Sequence, residues 1–188
     1  MALGVSRRAA AFGLPSVLPK TYAEMILATP GIYSYWPGNY GPTYGGGTLP
    51  SVFTLECWVY ITSVQNNHAI WSNWNSTGCM LWVDFANTRF MFHVNSSDLD
   101  SGVGPSANQW YHLAASYDGA NRRIYVNGDL KNGPSGGVTP GAGYTLLQTH
   151  HYPGDGSALQ AYVADPAVYS RALTDREVLN HYLYGRAR

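Results

Sequence analysis

Phe53-Thr54-Leu55-Glu56-Cys57-Trp58-Val59-Tyr60-Ile61 is the stretch that decides the fold. Its apolar residues recur with a period of two. Phe53, Leu55, Cys57, Val59 and Ile61 fall on one side of an extended chain, and Thr54, Glu56, Trp58 and Tyr60 on the other. Successive side chains of a strand point to opposite faces, so this is a strand with one buried and one half-exposed face. Glu56 is expected as a lone exposed acid on the second face.

Working outward, the same style repeats. Residues 68–74 and 79–85 read as strands, the second with Cys79, Leu81, Val83 and Phe85 on one side. Phe90, Phe92 and Val94 alternate with Arg89, Met91 and His93. Residues 110–117 form a strand ended by Asp118-Gly119. Arg122 to Val126 leads into Asn127-Gly128, the strongest short hairpin signal. Residues 132–143, rich in Gly and Pro, read as a loop, and short late strands fall at 159–163 and 168–169. One helix is expected. Thr174-Asp175-Arg176-Glu177 is a capping box, Val178, Leu179, Tyr182 and Leu183 follow at helical spacing, and Gly185 ends it.

The composition narrows the class. The chain has 188 residues, enough for one domain with a sizeable core. Aromatic residues make up 14% and the hydrophobic fraction is 45%, which argues against disorder. Eleven Lys and Arg balance eleven Asp and Glu, so no positive field gathers nucleic acid. No run of 18 apolar residues offers a bilayer-spanning helix, and no membrane partner is expected. An uncharged, aromatic-rich chain of short strands is all-β, an antiparallel sandwich or jelly roll. Charged residues are only 12%. Either a contact surface replaces charge, or Ser, Asn, Thr and Gly do the solvating.

Cys57 and Cys79 sit in strand-like runs and read as small core residues or as a pair. Residues 1–20 read as a retained, extended N-terminal arm rather than a signal peptide. Their apolar stretch is short and broken by Pro15 and Pro19. The arm carries Arg7, Arg8 and Lys20, with no acid before Glu24, and residues 21–188 form the domain.

Three segments resemble the laminin-G-like, concanavalin-A-like jelly roll. Phe53-Thr54-Leu55-Glu56-Cys57-Trp58-Val59 resembles its FTLEAWV strand. Residues 108–119 with Ile124-Tyr125-Val126-Asn127-Gly128 resemble its QWHHVAATYDG and LYVNG hairpin. Residues 164–174 resemble its closing strand, before the short C-terminal helix. The opening, residues 21–30 with Tyr35-Trp36, is similar to the start of such domains in bacteriophage structural proteins. The sequence departs from the family between Trp36 and Phe53. Gly45-Gly46-Gly47 stands where a strand is usual, which implies a lost strand or a rebuilt edge. The acids that some relatives place near calcium are missing there too.

Catalytic chemistry finds little support. Retaining glycosidases need two carboxylates about 5–5.5 Å apart. The chain has three Glu, at 24, 56 and 177, and no E-x-D-x-x-E strand. His150 and His151 are adjacent, so on a strand they point apart and do not share an ion. Asp98 and Asp100 read as an acidic loop, with calcium an unsupported alternative, and no cofactor is expected. Trp71, Trp74 and Trp82, with Tyr60 and Trp58, offer a platform for sugar rings, although such rings more often fill a sandwich core or an interface.

The expectation is a non-enzymatic virion structural protein, a phage capsid decoration or minor tail component at the particle surface. It would dock through Arg7, Arg8, Phe12, Leu14 and Lys20 onto other virion proteins such as the major capsid protein, as a homo-oligomer. A glycan-binding module is the alternative.

Overall fold

The computed structural model describes residues 21–40, 43–64, 68–72, 78–84, 89–140, 144–148 and 161–187. The arm residues Arg7, Arg8, Phe12, Leu14 and Lys20 lie outside these, as do Trp74, His150 and His151.

The described chain opens with helix α1 (Tyr22–Ala28), followed by strands β1 (Ile32–Tyr35), β2 (Asn39–Tyr40) and β3 (Thr43–Thr48). Then come β4 (Phe53–Ile61), β5 (His68–Ser72), β6 (Cys79–Val83), β7 (Phe90–Val94) and β8 (Ser97–Asp100). β9 (Gln109–Tyr117), β10 (Arg122–Val126), β11 (Asp129–Ser135), β12 (Tyr144–Gln148) and β13 (Ala161–Tyr169) lead to helix α2 (Asp175–Gly185).

Two antiparallel sheets face each other. One runs β1-β13-β4-β9-β10-β11, with β2 also on β13, and the other runs β5-β6-β7-β8. β4 is central and pairs along its whole length with β9, from Phe53↔Tyr117 to Ile61↔Gln109. Its odd-numbered residues fill the inter-sheet core, where Phe53 meets Phe92 edge-on at 6.5 Å. Cys57 and Cys79 both lie buried in that core as thiols, with no disulfide between them. Burial pushes the Cys79 thiol up to about 12.

The glycine run belongs to β3, which pairs with β12, so an edge is rebuilt there. β11 occupies part of the segment expected as loop. The two late strands are one, β13, whose ladder slips between Ala164 and Ala167. Pro166 has no N–H for the ladder and sits in that slip, beside Asp165 with a left-handed φ of 50°. Asn127 and Gly128 both have positive φ, as a type I′ hairpin requires.

The outer face of β4 corrects the sequence expectation. Thr54, Glu56 and Trp58 are buried, because two helices lie across that face. α2 forms as expected: Glu177 N–H donates to Thr174 Oγ1, and Thr174 N–H donates to Glu177 Oε2. α1 is an addition, built by the same device between Thr21 and Glu24. On α2 the buried residues are Val178, His181 and Gly185, while Leu179 and Leu183 are exposed.

A polar clasp holds the helices down. The Glu56 carboxylate is fully buried and accepts from His181 Nδ1 at 2.8 and 3.0 Å and from Tyr169 Oη at 3.1 Å. His112 Nε2 lies 3.7 Å away. On its other side, His181 Nε2 meets Thr29 Oγ1 at 3.0 Å, and that hydroxyl donates to the Met25 carbonyl at 2.9 Å. Both imidazole nitrogens are thus engaged, Nδ1 with the Glu56 carboxylate and Nε2 with the Thr29 hydroxyl. Burial alone would raise the Glu56 pKa. The charge and hydrogen bond of His181, with His112 and Tyr169, outweigh it and hold the carboxyl below its usual 4.5. Three further bonds secure α2: Arg171 grips Glu177 with its two terminal guanidinium nitrogens at 2.6 and 2.9 Å, and Tyr125 Oη donates to Asp175 at 2.9 Å.

A buried pair that loses one charge leaves the other uncompensated, at about 3–5 kcal/mol. Glu56→Gln is therefore expected to lose about 3 kcal/mol in denaturant unfolding. The pH dependence has a definite sign. A depressed folded pKa gives stability that is present above 4.5 and lost as pH falls below it. Glu177 and Asp118, held down to about 2 by Arg171 and Arg123, act in the same direction. The melting temperature should fall on acidification below pH 4.5, and fall less in Glu56→Gln; an equal fall in both would contradict the clasp.

Candidate functional site

Beyond the end of α2 the outer face of the large sheet is uncovered. There, cross-strand register aligns Tyr162 on β13, Tyr60 on β4 and Trp110 on β9. The rings form a row, with centroids 6.3 Å apart between Tyr162 and Tyr60 and 5.4 Å between Tyr60 and Trp110. Tyr162 is 59% exposed and Trp110 45%, while Tyr60 is half-buried. Such cross-strand neighbours stand about 5 Å apart on one face, so the strand pattern itself creates the row.

A cleft of about 440 Å³ lies between this row and the end of α2, lined among others by Trp58, Trp110, Asn127, Tyr182 and Arg186. Its floor is the Trp58 ring, next along β4 on the same face as Tyr60. Tyr182 stacks on Trp58 with centroids 5.8 Å apart and planes at 23°, and the Arg186 guanidinium sits 5.6 Å from the Tyr182 ring centre. The column Trp58–Tyr182–Arg186 is a stack that ends in a cation. Gly185 makes it fit: a β-carbon there would collide with the Trp58 ring. This glycine ends no helix through left-handed backbone; its requirement is the close ring. Asn127 holds the cleft's side. Its Oδ1 accepts from His112 N–H at 3.0 Å, which leaves the amide NH₂ as a donor group.

The platform expected from the sequence is divided: Tyr60 and Trp58 stand at the row and the cleft, and its other described members lie elsewhere. Trp71 is fully buried in the inter-sheet core, and Trp82 is buried on the second sheet's outer side with Met80 and Ala69. Rings buried this way face no solvent. Asp98 pairs with His93 Nδ1 at 2.7 Å, and Asp100 with Arg89 at 3.1 Å, on strand β8 rather than in an acidic loop. Among the described residues, no group of three or more metal-ligating side chains comes together. Glu56 is buried in the clasp and lines no cleft.

Thr29, His181 and Glu56 follow the hydroxyl–imidazole–carboxylate order of an acyl-transfer triad. Here the order is structural. The Thr29 proton is committed to the Met25 carbonyl, the imidazole is 2% exposed, and none of the three lines the cleft. A wider groove of about 680 Å³ lies between the start of α1 and the end of α2, with Tyr22, Tyr35, Asp165 and Tyr184 among its walls. Its carboxylate, Asp165, already accepts from Tyr35 Oη at 2.8 Å and Gly38 N–H at 3.0 Å.

Comparison with known proteins agrees with this architecture. No curated protein matched the sequence. Sialidase from Trypanosoma rangeli in complex with sialic acid superposes with a TM-score of 0.59 at 15% identity, over 83% of this chain and 29% of that one. Botulinum neurotoxin type C, whose way into cells depends on interaction with two ganglioside molecules, gives 0.52 at 12%, over 75% and 37%. The chain thus spans well under half the length of these neighbours, and the likeness is one of fold. The model of the concanavalin A-like lectin/glucanases superfamily matches residues 39–179, and the chain belongs to that superfamily.

Proposed function

We propose that this chain is a non-catalytic carbohydrate-binding module, with the saccharide lying along Tyr162, Tyr60 and Trp110 and reaching into the cleft beside them. The observation that carries the reading is the exposed ring row, left bare where the helices stop. Flat aromatic faces suit the apolar face of a pyranose, and a few convergent polar groups fix its orientation. Asn127 and Arg186 stand at the row's side in that role. A hydrolase reading is weaker. Among the described residues that line the cleft there is no carboxylate, and glycoside cleavage ordinarily uses two.

A second reading concerns where such a module is displayed. The opening segment, residues 21–36, resembles bacteriophage structural domains, and Arg7, Arg8, Phe12, Leu14 and Lys20 offer a basic and apolar arm. We propose that this arm attaches the domain to other virion proteins, such as the major capsid protein, as copies at the particle surface. Deleting residues 1–20 should then abolish binding to particles; undiminished binding would remove the proposal.

The saccharide reading is tested by a glycan array followed by calorimetry. Trp110→Ala should weaken the best ligand about tenfold or more, as truncating an aromatic anchor does elsewhere. Gly185→Ala pushes a methyl into the Trp58 ring and should lower affinity together with about 1–3 kcal/mol of stability. Binding that is indifferent to Trp110→Ala, or no binding to any glycan, would overturn the reading.

A further inference from the structure

The charges of the cleft are uneven. Arg89, Arg123 and Arg171 each bind a carboxylate of this chain, at Asp100, Asp118 and Glu177. Arg186 does not: among the described residues its side chain meets only the Tyr182 ring. It is also the charged residue among those described that line the cleft. Its neighbours there are Trp58, Trp110, Tyr182 and the Asn127 amide, none of which offers it a counter-ion.

The Tyr182 ring face, 5.6 Å from the guanidinium carbon, gives Arg186 an aromatic neighbour instead of a carboxylate. A guanidinium keeps its N–H donors at its rim, pointing outward in its plane. Those donors match the two oxygens of a carboxylate in a bidentate pair. The ring column beneath it is itself held by the helix that the Glu56–His181 pair docks, so the cation is placed before any ligand arrives.

We infer that the saccharide is acidic: a sugar carboxylate is received by Arg186 while the sugar ring lies against Trp110 and Tyr60. This rests on the saccharide reading of the cleft, and it adds the ligand's charge and the residue that selects it. A charge-assisted pair in a partly desolvated cleft commonly changes affinity about tenfold or more.

The test is a panel of oligosaccharides containing uronic or ulosonic acids, each paired with its carboxyl-reduced neutral form. Affinities are measured by calorimetry at low and high salt for the wild-type protein, Arg186→Gln and Trp110→Ala. The expected result is an acid-over-neutral preference of about tenfold or more in the wild type, smaller at high salt. Arg186→Gln should bring that ratio close to one, whereas Trp110→Ala lowers both affinities and keeps the ratio. Equal affinity for the two forms, or a ratio that survives Arg186→Gln, would overturn the inference while leaving the saccharide reading in place. No binding of either form by the wild type would overturn both.

Discussion

One buried carboxylate organises this molecule. Glu56 projects from the central strand onto the outer face of the large sheet, where an uncompensated charge would be costly. His181 compensates it from α2, Tyr169 from the neighbouring strand, and Thr29 links the same imidazole to the end of α1. Four separate elements therefore converge on one pair of oxygens and one ring. A hydrophobic contact would tolerate sliding of α2 along the sheet. Hydrogen bonds at both imidazole nitrogens fix its rotation and its height.

That fixed height decides where the cover ends. α2 stops with Gly185 against the Trp58 ring, and the next aromatic row out, Tyr162–Tyr60–Trp110, stays open to solvent. Tyr182 lies one residue after His181, and Gly185 four after it, so the turn of helix that carries the clasp also carries the cleft wall. Packing and recognition meet here: the polar pair sets the helix, the helix sets the ring stack, and the stack ends at Arg186.

The sandwich was legible because its signal is periodic. β4, β9 and the Asn127-Gly128 hairpin each announce themselves by alternation or by a turn that requires positive φ. The α2 cap was equally plain, and the same capping box at Thr21 and Glu24 marks α1; seven residues of helix gave too little periodicity to draw attention to it. The outer face was misread for a physical reason. Glu56 and Thr54 look like solvent residues, and nothing local reveals that helices distant in sequence cover them. His181 hid likewise, a polar residue in the buried stripe where Leu179 and Leu183 looked the better candidates. The ring row needs register, since Tyr60, Trp110 and Tyr162 become neighbours only when three strands are aligned. Trp71 looked suited to a platform, but the alternation that makes β5 a strand gives no sign of which face the other sheet covers.

The central claim is that the Glu56 clasp builds the recognition surface. Its most direct measurement is the saccharide affinity of Glu56→Gln, taken well below its melting temperature and compared with wild type. The account predicts a severalfold loss, although Glu56 lines no part of the cleft, because α2 no longer holds Tyr182 and Arg186 in place. Wild-type affinity in that variant would contradict it.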